Sequence, residues 1–310
     1  MADVSPTGPM LAGRRFLVTG ARGFLGTHLC RRLRYLQAEV HAVSRTERPP
    51  DNDGLHWWHN RLHNQNDIAH LLDQTAPDVV VHLSGHVTAN PRLDTVQSTF
   101  QSLLADTVSL LTSVATSGCE RLVLVGSLTE PGPGAEDVVP GSPYVAAKWA
   151  ASGYGRMFHA LYDTPVVIAR PGMAYGPGQS PDKVIPHVIL TLLDGAPPRL
   201  TSGKLLADWI YIEDVVEGLM RAILQPGLDG QSVDLGTGTL TSVRDVVQEV
   251  VRMMDTPVQP IFDAIPDRPK EYVRPADTDA MQKRLGWLPQ TTLSEGLART
   301  IVWYRAKAGQ

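Results

Sequence analysis

From Arg15 to Arg170, short runs of β-branched and aliphatic residues alternate with longer stretches whose apolar positions repeat at helical spacing. The short runs predict strands at Phe16–Thr19, Glu39–Ser44, Leu55–His59, Asp78–Leu83, Arg121–Val125 and Val166–Ala169. Between them the pattern predicts helices near Leu25–Tyr35, Asp67–Thr75, Thr95–Thr116 and Tyr144–Tyr162. Such alternation builds βαβ units, and these build a parallel sheet. The runs Val79-Val80-Val81 and Leu122-Val123-Leu124-Val125 are apolar at consecutive positions. A strand apolar on both sides belongs in a sheet covered by helices on both faces, a doubly wound α/β arrangement.

The rhythm breaks after Arg170-Pro171. Residues 172–187 and 195–200 are rich in Gly and Pro, which reads as departure into a smaller, mixed lobe over the carboxyl edge of the sheet. The expected division is a flexible tail over 1–11 and a dinucleotide-binding domain over 12–172, rejoined at about 208–236. A substrate-binding lobe takes 173–207 and 237–310.

Composition narrows the class of function. Of 310 residues, 43% are apolar and 19% charged, with a formal net charge of −4. The chain can bury an ample core, and its mild charge gives no support for the concentrated basic face that nucleic acid requires. No apolar run reaches membrane-spanning length, and the N-terminal residues lack the apolar run of a secretory signal. A cytoplasmic protein without nucleic-acid or membrane partners is expected. Cys30 and Cys119 are far apart and sit in apolar or amphipathic segments, so they read as buried free thiols.

Chemistry enters at Gly20-Ala21-Arg22-Gly23-Phe24-Leu25-Gly26, between the first strand and the first helix. Glycines at this spacing let the backbone turn tightly and approach a pyrophosphate, whose charge then faces a helix N-terminus. The loop, including Phe24 and Leu25, is therefore expected to bind a dinucleotide. Where the second strand ends, an NAD enzyme would place a carboxylate on the ribose 2′-hydroxyl. Here the strand ends Val43-Ser44-Arg45. An arginine there, with Arg22 in the loop, suits the 2′-phosphate of NADP(H).

Tyr144 and Lys148 lie four residues apart in a helical segment, so both side chains share one helix face. A phenol is a poor acid or base at neutral pH, and a nearby ammonium lowers its pKa toward the working range. Ser127, at the end of the fifth strand, is placed to hydrogen-bond a reacting oxygen. These three are the candidate catalytic residues.

These segments, together with Ser84-Gly85, Arg170-Pro171-Gly172-Met173-Ala174-Tyr175-Gly176 and Asp208-Trp209-Ile210-Tyr211, resemble the extended short-chain dehydrogenases/reductases of the NAD(P)-dependent epimerase/dehydratase type. The resemblance covers nearly the whole chain and implies a Rossmann-type sheet. It also implies Tyr144 as proton donor or base, Lys148 on the nicotinamide ribose, Ser127 on the substrate carbonyl, and Ser84 and Gly85 along the cofactor. Dehydratases of this type carry acids directly after the catalytic Ser or Thr; here Leu128 and Thr129 stand there, and Glu130 falls one place too far along. Locally the chain resembles GDP-fucose synthases and nucleotide-sugar 4-ketoreductases. In the former, a cysteine and a histidine perform epimerisation where Thr129 and Lys183 stand here.

The resemblance therefore implies an NADP(H)-dependent ketoreductase acting on a nucleotide-linked 4-keto-6-deoxysugar in deoxysugar biosynthesis, with Thr129, Lys183 and Arg268 as candidate substrate contacts. Met173 and Ala207 stand where diphosphate-holding asparagine and arginine are usual, which keeps a natural-product ketone in view; Lys204 and Arg268 could compensate. An NAD-dependent nucleotide-sugar epimerase and an NADP(H)-sensing regulator without turnover stay open as alternatives. The helices near Thr95–Thr116 and at Tyr144 could form a homodimer face, and read equally well as core. His56, His59, His63 and His70 straddle a strand, a loop and a helix. No metal is expected there, and Trp57 and Trp58 are expected to cover the sheet edge.

Overall fold

The first central strand, β1 (Arg15–Thr19), is flanked by parallel partners on both sides, β2 (Glu39–Ser44) and β4 (Val79–His82). The structure is a computed structural model that describes residues 11–46, 53–88, 90–132 and 137–309. With β3 (His56–His59), β5 (Arg121–Val125), β6 (Val166–Pro171) and β9 (Ser232–Leu235), they form a seven-stranded sheet in the order β3-β2-β1-β4-β5-β6-β9. All of its pairings are parallel. Strand order reverses between β1 and β4, and a sheet of this kind opens a crevice at the carboxyl ends of the strands at that switch point.

Consecutive apolar residues feed opposite faces. Phe16, Val18, Val79, Val81, Val123 and Val125 point into one core, with α1 (Phe24–Tyr35) and α7 (Ile212–Leu224). Leu17, Val80, Leu122 and Leu124 point into the other, with α2 (Gln65–Thr75), α4 (Asp106–Val114) and α5 (Pro143–Tyr162). The doubly wound reading of the unbroken apolar runs therefore holds. Cys30 and Cys119 are free and buried, and β3, which carries Trp57 and Trp58, is the edge strand.

A smaller sheet follows. β8 (Leu206–Tyr211) runs parallel to β7 (Met173–Tyr175) and antiparallel to β10 (Leu240–Ser242). It packs with α6 (Val184–Leu193), α8 (Val243–Met254) and α10 (Leu293–Ala308) around a separate core. Trp209–Tyr211 thus pair in the small sheet, and the chain reaches the large one only with α7 and β9.

Two carboxylates knit the sheets together. Asp208, on β8, accepts from Thr237 N and Oγ1 (both 2.7 Å), Gly238 N (2.8 Å) and Ala276 N (2.9 Å). Asp234, on β9, accepts from Arg170 (2.8 Å), from Arg274 (2.5 and 3.0 Å) and from Asp277 N (3.2 Å), just ahead of α9 (Thr278–Leu285).

Two expectations are revised. Leu11, assigned to the tail, is buried in the main core and donates its N–H to Leu36 O at 2.8 Å; the rest of that tail lies outside the described residues. The helix expected across Thr95–Thr116 is divided into α3 (Val96–Phe100), a π-helical turn over Gln101–Ala105, and α4. The wide turn carries Leu103 toward Gly85, where a Cβ would lie 2.0 Å from Leu103 Cδ2. Hydrophobic periodicity does not register a single inserted residue of this kind. Among the described residues, no helix is long and apolar enough to cross a membrane.

Because Asp208 is 3% exposed and satisfies four donors, Asp208→Ala should lower unfolding free energy by about 3–5 kcal/mol. Urea denaturation checks this, and a loss under about 1 kcal/mol would contradict the role.

Candidate active site

The glycine loop sits at the switch point. Gly20 has φ +69°, and a Cβ there would lie 2.8 Å from Leu83 C and Ser84 N. At Gly26 a Cβ would lie 2.2 Å from Gly20 O, so α1 can approach β1 only without a side chain. Gly23 caps α1 with no side-chain hydrogen bond, and the first turn holds no acidic residue. The first-turn N–H groups therefore face the crevice without a protein anion, as a pyrophosphate requires. Phe24 and Leu25 form that turn and are half-buried. The cradle fits a dinucleotide.

At the end of β2, Arg22 donates to Thr46 Oγ1 at 2.9 Å, and Thr46 N donates to Ser44 Oγ at 3.2 Å. Arg22, Ser44 and Thr46 are thus brought together. Arg45 is exposed beside them, its carbonyl accepting from His59 Nε2 at 3.0 Å. Thr46 carried no signal in the sequence beyond its adjacency to Arg45.

A single directional chain supports the β4 side of the crevice. Ser84 N donates to Thr19 Oγ1 (3.3 Å), and Thr19 Oγ1 lies 2.8 Å from His82 Nδ1. His82 Nε2 lies 3.0 Å from Thr107 Oγ1, which donates to Leu103 O at 2.8 Å. Thr107 can then only accept from Nε2–H, which leaves Nδ1 to accept from Thr19. Burial, reinforced by the Lys148 charge, pulls His82 down to about 3, so this imidazole is neutral.

Ser142 Oγ accepts from Val145 N at 3.3 Å and starts α5, with Pro143 in the first turn. One turn separates Tyr144 from Lys148. The Lys148 ammonium is buried and donates to Val125 O at 2.6 Å, pinning α5 to the end of β5. Desolvation pulls Lys148 down to about 8, opposed by the charge of Glu130. Desolvation also pushes the Tyr144 phenol up to about 12; Ser127 works against that rise and Glu130 adds to it. Ser127 Oγ lies 2.8 Å from Thr129 Oγ1. The structure therefore gathers Ser127, Thr129, Tyr144 and Lys148 at the end of β5.

The family model of the NAD dependent epimerase/dehydratase family matches residues 16–236. The chain belongs to that family. It is 30% identical to a UDP-glucose 4-epimerase of Mycolicibacterium smegmatis, over 95% of this chain and 99% of that protein. It is 28% identical to a dTDP-glucose 4,6-dehydratase of Xanthomonas campestris, over 93% of this chain and 92% of that one. Among solved structures, MoeE5 in complex with UDP-glucose and NAD superposes with a TM-score of 0.83 at 31% identity, covering 95% of this chain and 99% of the other. The UDP-glucose 4-epimerase of Thermotoga maritima superposes with a TM-score of 0.85 at 21% identity, covering 95% and 99%.

Within this family member, Leu128 is buried and donates its N–H to Pro171 O at 3.0 Å. Lys183 and Arg268 form a separate cationic pair. Lys183 reaches the loop after β4, donating to Val87 O at 3.4 Å. Burial and then Arg268 lower its pKa, and Arg268 is held by Glu271 at 3.1 Å. The histidines disperse to different partners: His56 stacks on His41, His59 meets Arg45 O, and His63 pairs with Asp106 at 2.7 Å.

Sequence reasoning missed Glu130. It is 1% exposed and accepts from Ser127 N at 2.7 Å. Its spacing from Ser127 was visible, but nothing in the sequence indicated that the loop folds the carboxylate back beneath the serine.

With Lys148 near 8, the ammonium is present below that pH and lost above it. Turnover that needs the cation should fall on an alkaline limb near pH 8 in kcat/KM. A profile flat from pH 7 to about 9.5 would contradict a role for this charge.

Proposed function

We propose that this family member is a cytoplasmic NADP(H)-dependent ketoreductase that reduces a nucleotide-linked 4-keto-6-deoxysugar to its alcohol. The observation that carries the cofactor preference is Arg22 held at 2.9 Å on Thr46, beside Ser44 and Arg45 at the end of β2. A guanidinium with two hydroxyls suits a 2′-phosphate, and an acid in that place would repel it.

The bound nicotinamide would supply hydride to the carbonyl carbon. Tyr144 donates its proton to the carbonyl oxygen, so ketone, hydride and proton become the alcohol. Lys148 stabilises the phenolate left behind, and Ser127 hydrogen-bonds the oxygen as its charge grows. Leu128 and Thr129 offer no carboxylate for β-elimination, which favours reduction over dehydration. Thr129 is placed to contact the sugar, and Lys183 with Arg268 supplies positive charge for a diphosphate. Val96, Phe100 and Tyr154, apolar and exposed on α3 and α5, support a homodimer face.

A second reading is favoured by the relatives. MoeE5 binds NAD, and proteins named UDP-glucose 4-epimerase align over nearly the whole chain. A 4-epimerase with retained NAD would use the same Ser127, Tyr144 and Lys148.

The deciding experiment screens 4-keto-6-deoxy nucleotide sugars, UDP-glucose and natural-product ketones in parallel. Reduction of the keto sugar with NADPH at least about tenfold more efficient than with NADH is expected. Arg22→Ala and Arg45→Asp should each erode that ratio, and Tyr144→Phe should lower turnover about 10²–10⁴-fold. Protein that purifies with one equivalent of NAD and inverts UDP-glucose at C4 without added cofactor would replace this reading with the epimerase.

A further inference from the structure

We propose that Glu130 is a positioning residue of the reacting trio: its buried carboxylate fixes the Ser127 backbone and supplies the counter-charge that holds an ammonium at Lys148. This rests on the reading of Ser127, Tyr144 and Lys148 as the reacting groups.

At 1% exposure Glu130 cannot reach a substrate in the crevice. Its Oε1 accepts from Ser127 N at 2.7 Å, directly below the hydroxyl that meets Thr129. The space it occupies exists because residue 126 is glycine. A Cβ at Gly126 would lie 2.4 Å from Glu130 Oε1 and 3.2 Å from both Arg170 Cγ and Ser152 Oγ. Arg274 Nε donates to the Glu130 carbonyl at 3.3 Å and fixes the backbone that carries the acid. The pocket is built for this side chain.

The surrounding charges decide what the carboxylate does. Arg170 on β6 and Arg274 ahead of α9 are the cations on one side, and both pair with Asp234 of β9. On α5 the neighbours are Lys148 and Tyr144, and His82 of β4 faces Lys148 as a neutral ring. Among the described residues Lys148 is a buried cation whose hydrogen bond goes to the Val125 carbonyl and not to a carboxylate. Burial favours the neutral amine at Lys148, and the Glu130 charge opposes this. The same carboxylate disfavours phenolate at Tyr144, which suits a tyrosine that must carry a proton to a carbonyl. Burial raises Glu130 above the ordinary carboxylate range; hydrogen bonds from Ser152 and from Ser127 N act against that rise, followed by the charges of Arg170 and Lys148.

The chain has only six lysines, so [13Cε]lysine NMR can follow Lys148 directly in the ligand-free protein, with its signal assigned by loss in Lys148→Arg. In Glu130→Gln the hydrogen-bond acceptor stays and the charge goes. The Lys148 midpoint should fall by at least about half a unit, roughly threefold in proton affinity. The alkaline limb of NADPH-dependent keto-sugar reduction should move down with it. Glu130→Asp keeps the charge but withdraws the carboxylate from Ser127, so kcat should fall several-fold with the Lys148 midpoint nearly unchanged.

A Lys148 midpoint in Glu130→Gln that superimposes on the wild type overturns the proposal. Should that variant fail to fold, Gly126→Ala pushes Oε1 away from Ser127 N while keeping the charge, so kcat should fall several-fold as in Glu130→Asp; an unchanged kcat there also overturns the proposal. Turnover surviving in Tyr144→Phe would sink the functional reading of the trio instead, and would leave the Glu130–Lys148 coupling measurable by NMR.

Discussion

A lysine ammonium taken out of water must find other partners or surrender its proton, and the placement of Lys148 is governed by that constraint. Its Nζ donates to Val125 O at 2.6 Å at the mouth of β5. The bond uses the carbonyl of the last residue of β5. It fixes the rotation of α5 about its axis, which in turn places Tyr144 one turn earlier on the same face. The Ser142 cap and Pro143 set where that helix begins. The distance between the tyrosine and the end of β5 is therefore set by a buried charge satisfied by backbone, with little left to loop conformation.

The crevice beside it is a consequence of topology more than of any one residue. Parallel strands place all their carboxyl ends on one edge, and the reversal of order between β1 and β4 parts the loops there. Gly20, Ser84-Gly85 and Ser127 arrive at that edge from three different strands. The Ser84–Thr19–His82–Thr107 chain stiffens the β1–β4 side with a neutral histidine. A charged imidazole there would add a second buried cation beside Lys148, and desolvation removes that option.

Much of this was legible in the sequence because consecutive apolar residues have few alternatives. The strands Glu39–Ser44 and Arg121–Val125 were bounded as observed, and the glycine spacing located the tight turn that Gly20 makes at φ +69°. What escaped depended on partners distant in space or on geometry without periodicity. The π turn at Gln101–Ala105 leaves the apolar pattern of its helix intact while changing its register. Thr46 matters because Arg22, far back in the chain, folds onto it. Glu130 was set aside on spacing alone, because it stands one place too far from Ser127 for the acid of a dehydratase. Its direction is set by Gly126, Arg170 and Arg274, which no local rule brings together.

The charges beneath the reacting edge also tie it to the C-terminal part of the chain. Arg274 bonds both Asp234 on β9 and the carbonyl of Glu130, and Asp277 N adds a further bond to Asp234. Asp208 reaches across to Ala276 N from the small sheet. The segment 274–277 is therefore held from two sheets at once, immediately behind the loop that carries Ser127. A buried carboxylate between two guanidiniums is costly to disturb because removing any member strands the others. Asp234, lowered by Arg274 and Arg170 against its own desolvation, is the centre of that arrangement. The segment that Asp208 holds from the small sheet is thus also held by the Asp234 ion pairs. Arg274 extends that hold to the Glu130 carbonyl beneath Ser127, so packing of the C-terminal segment and alignment of the reacting hydroxyl are linked through Arg274.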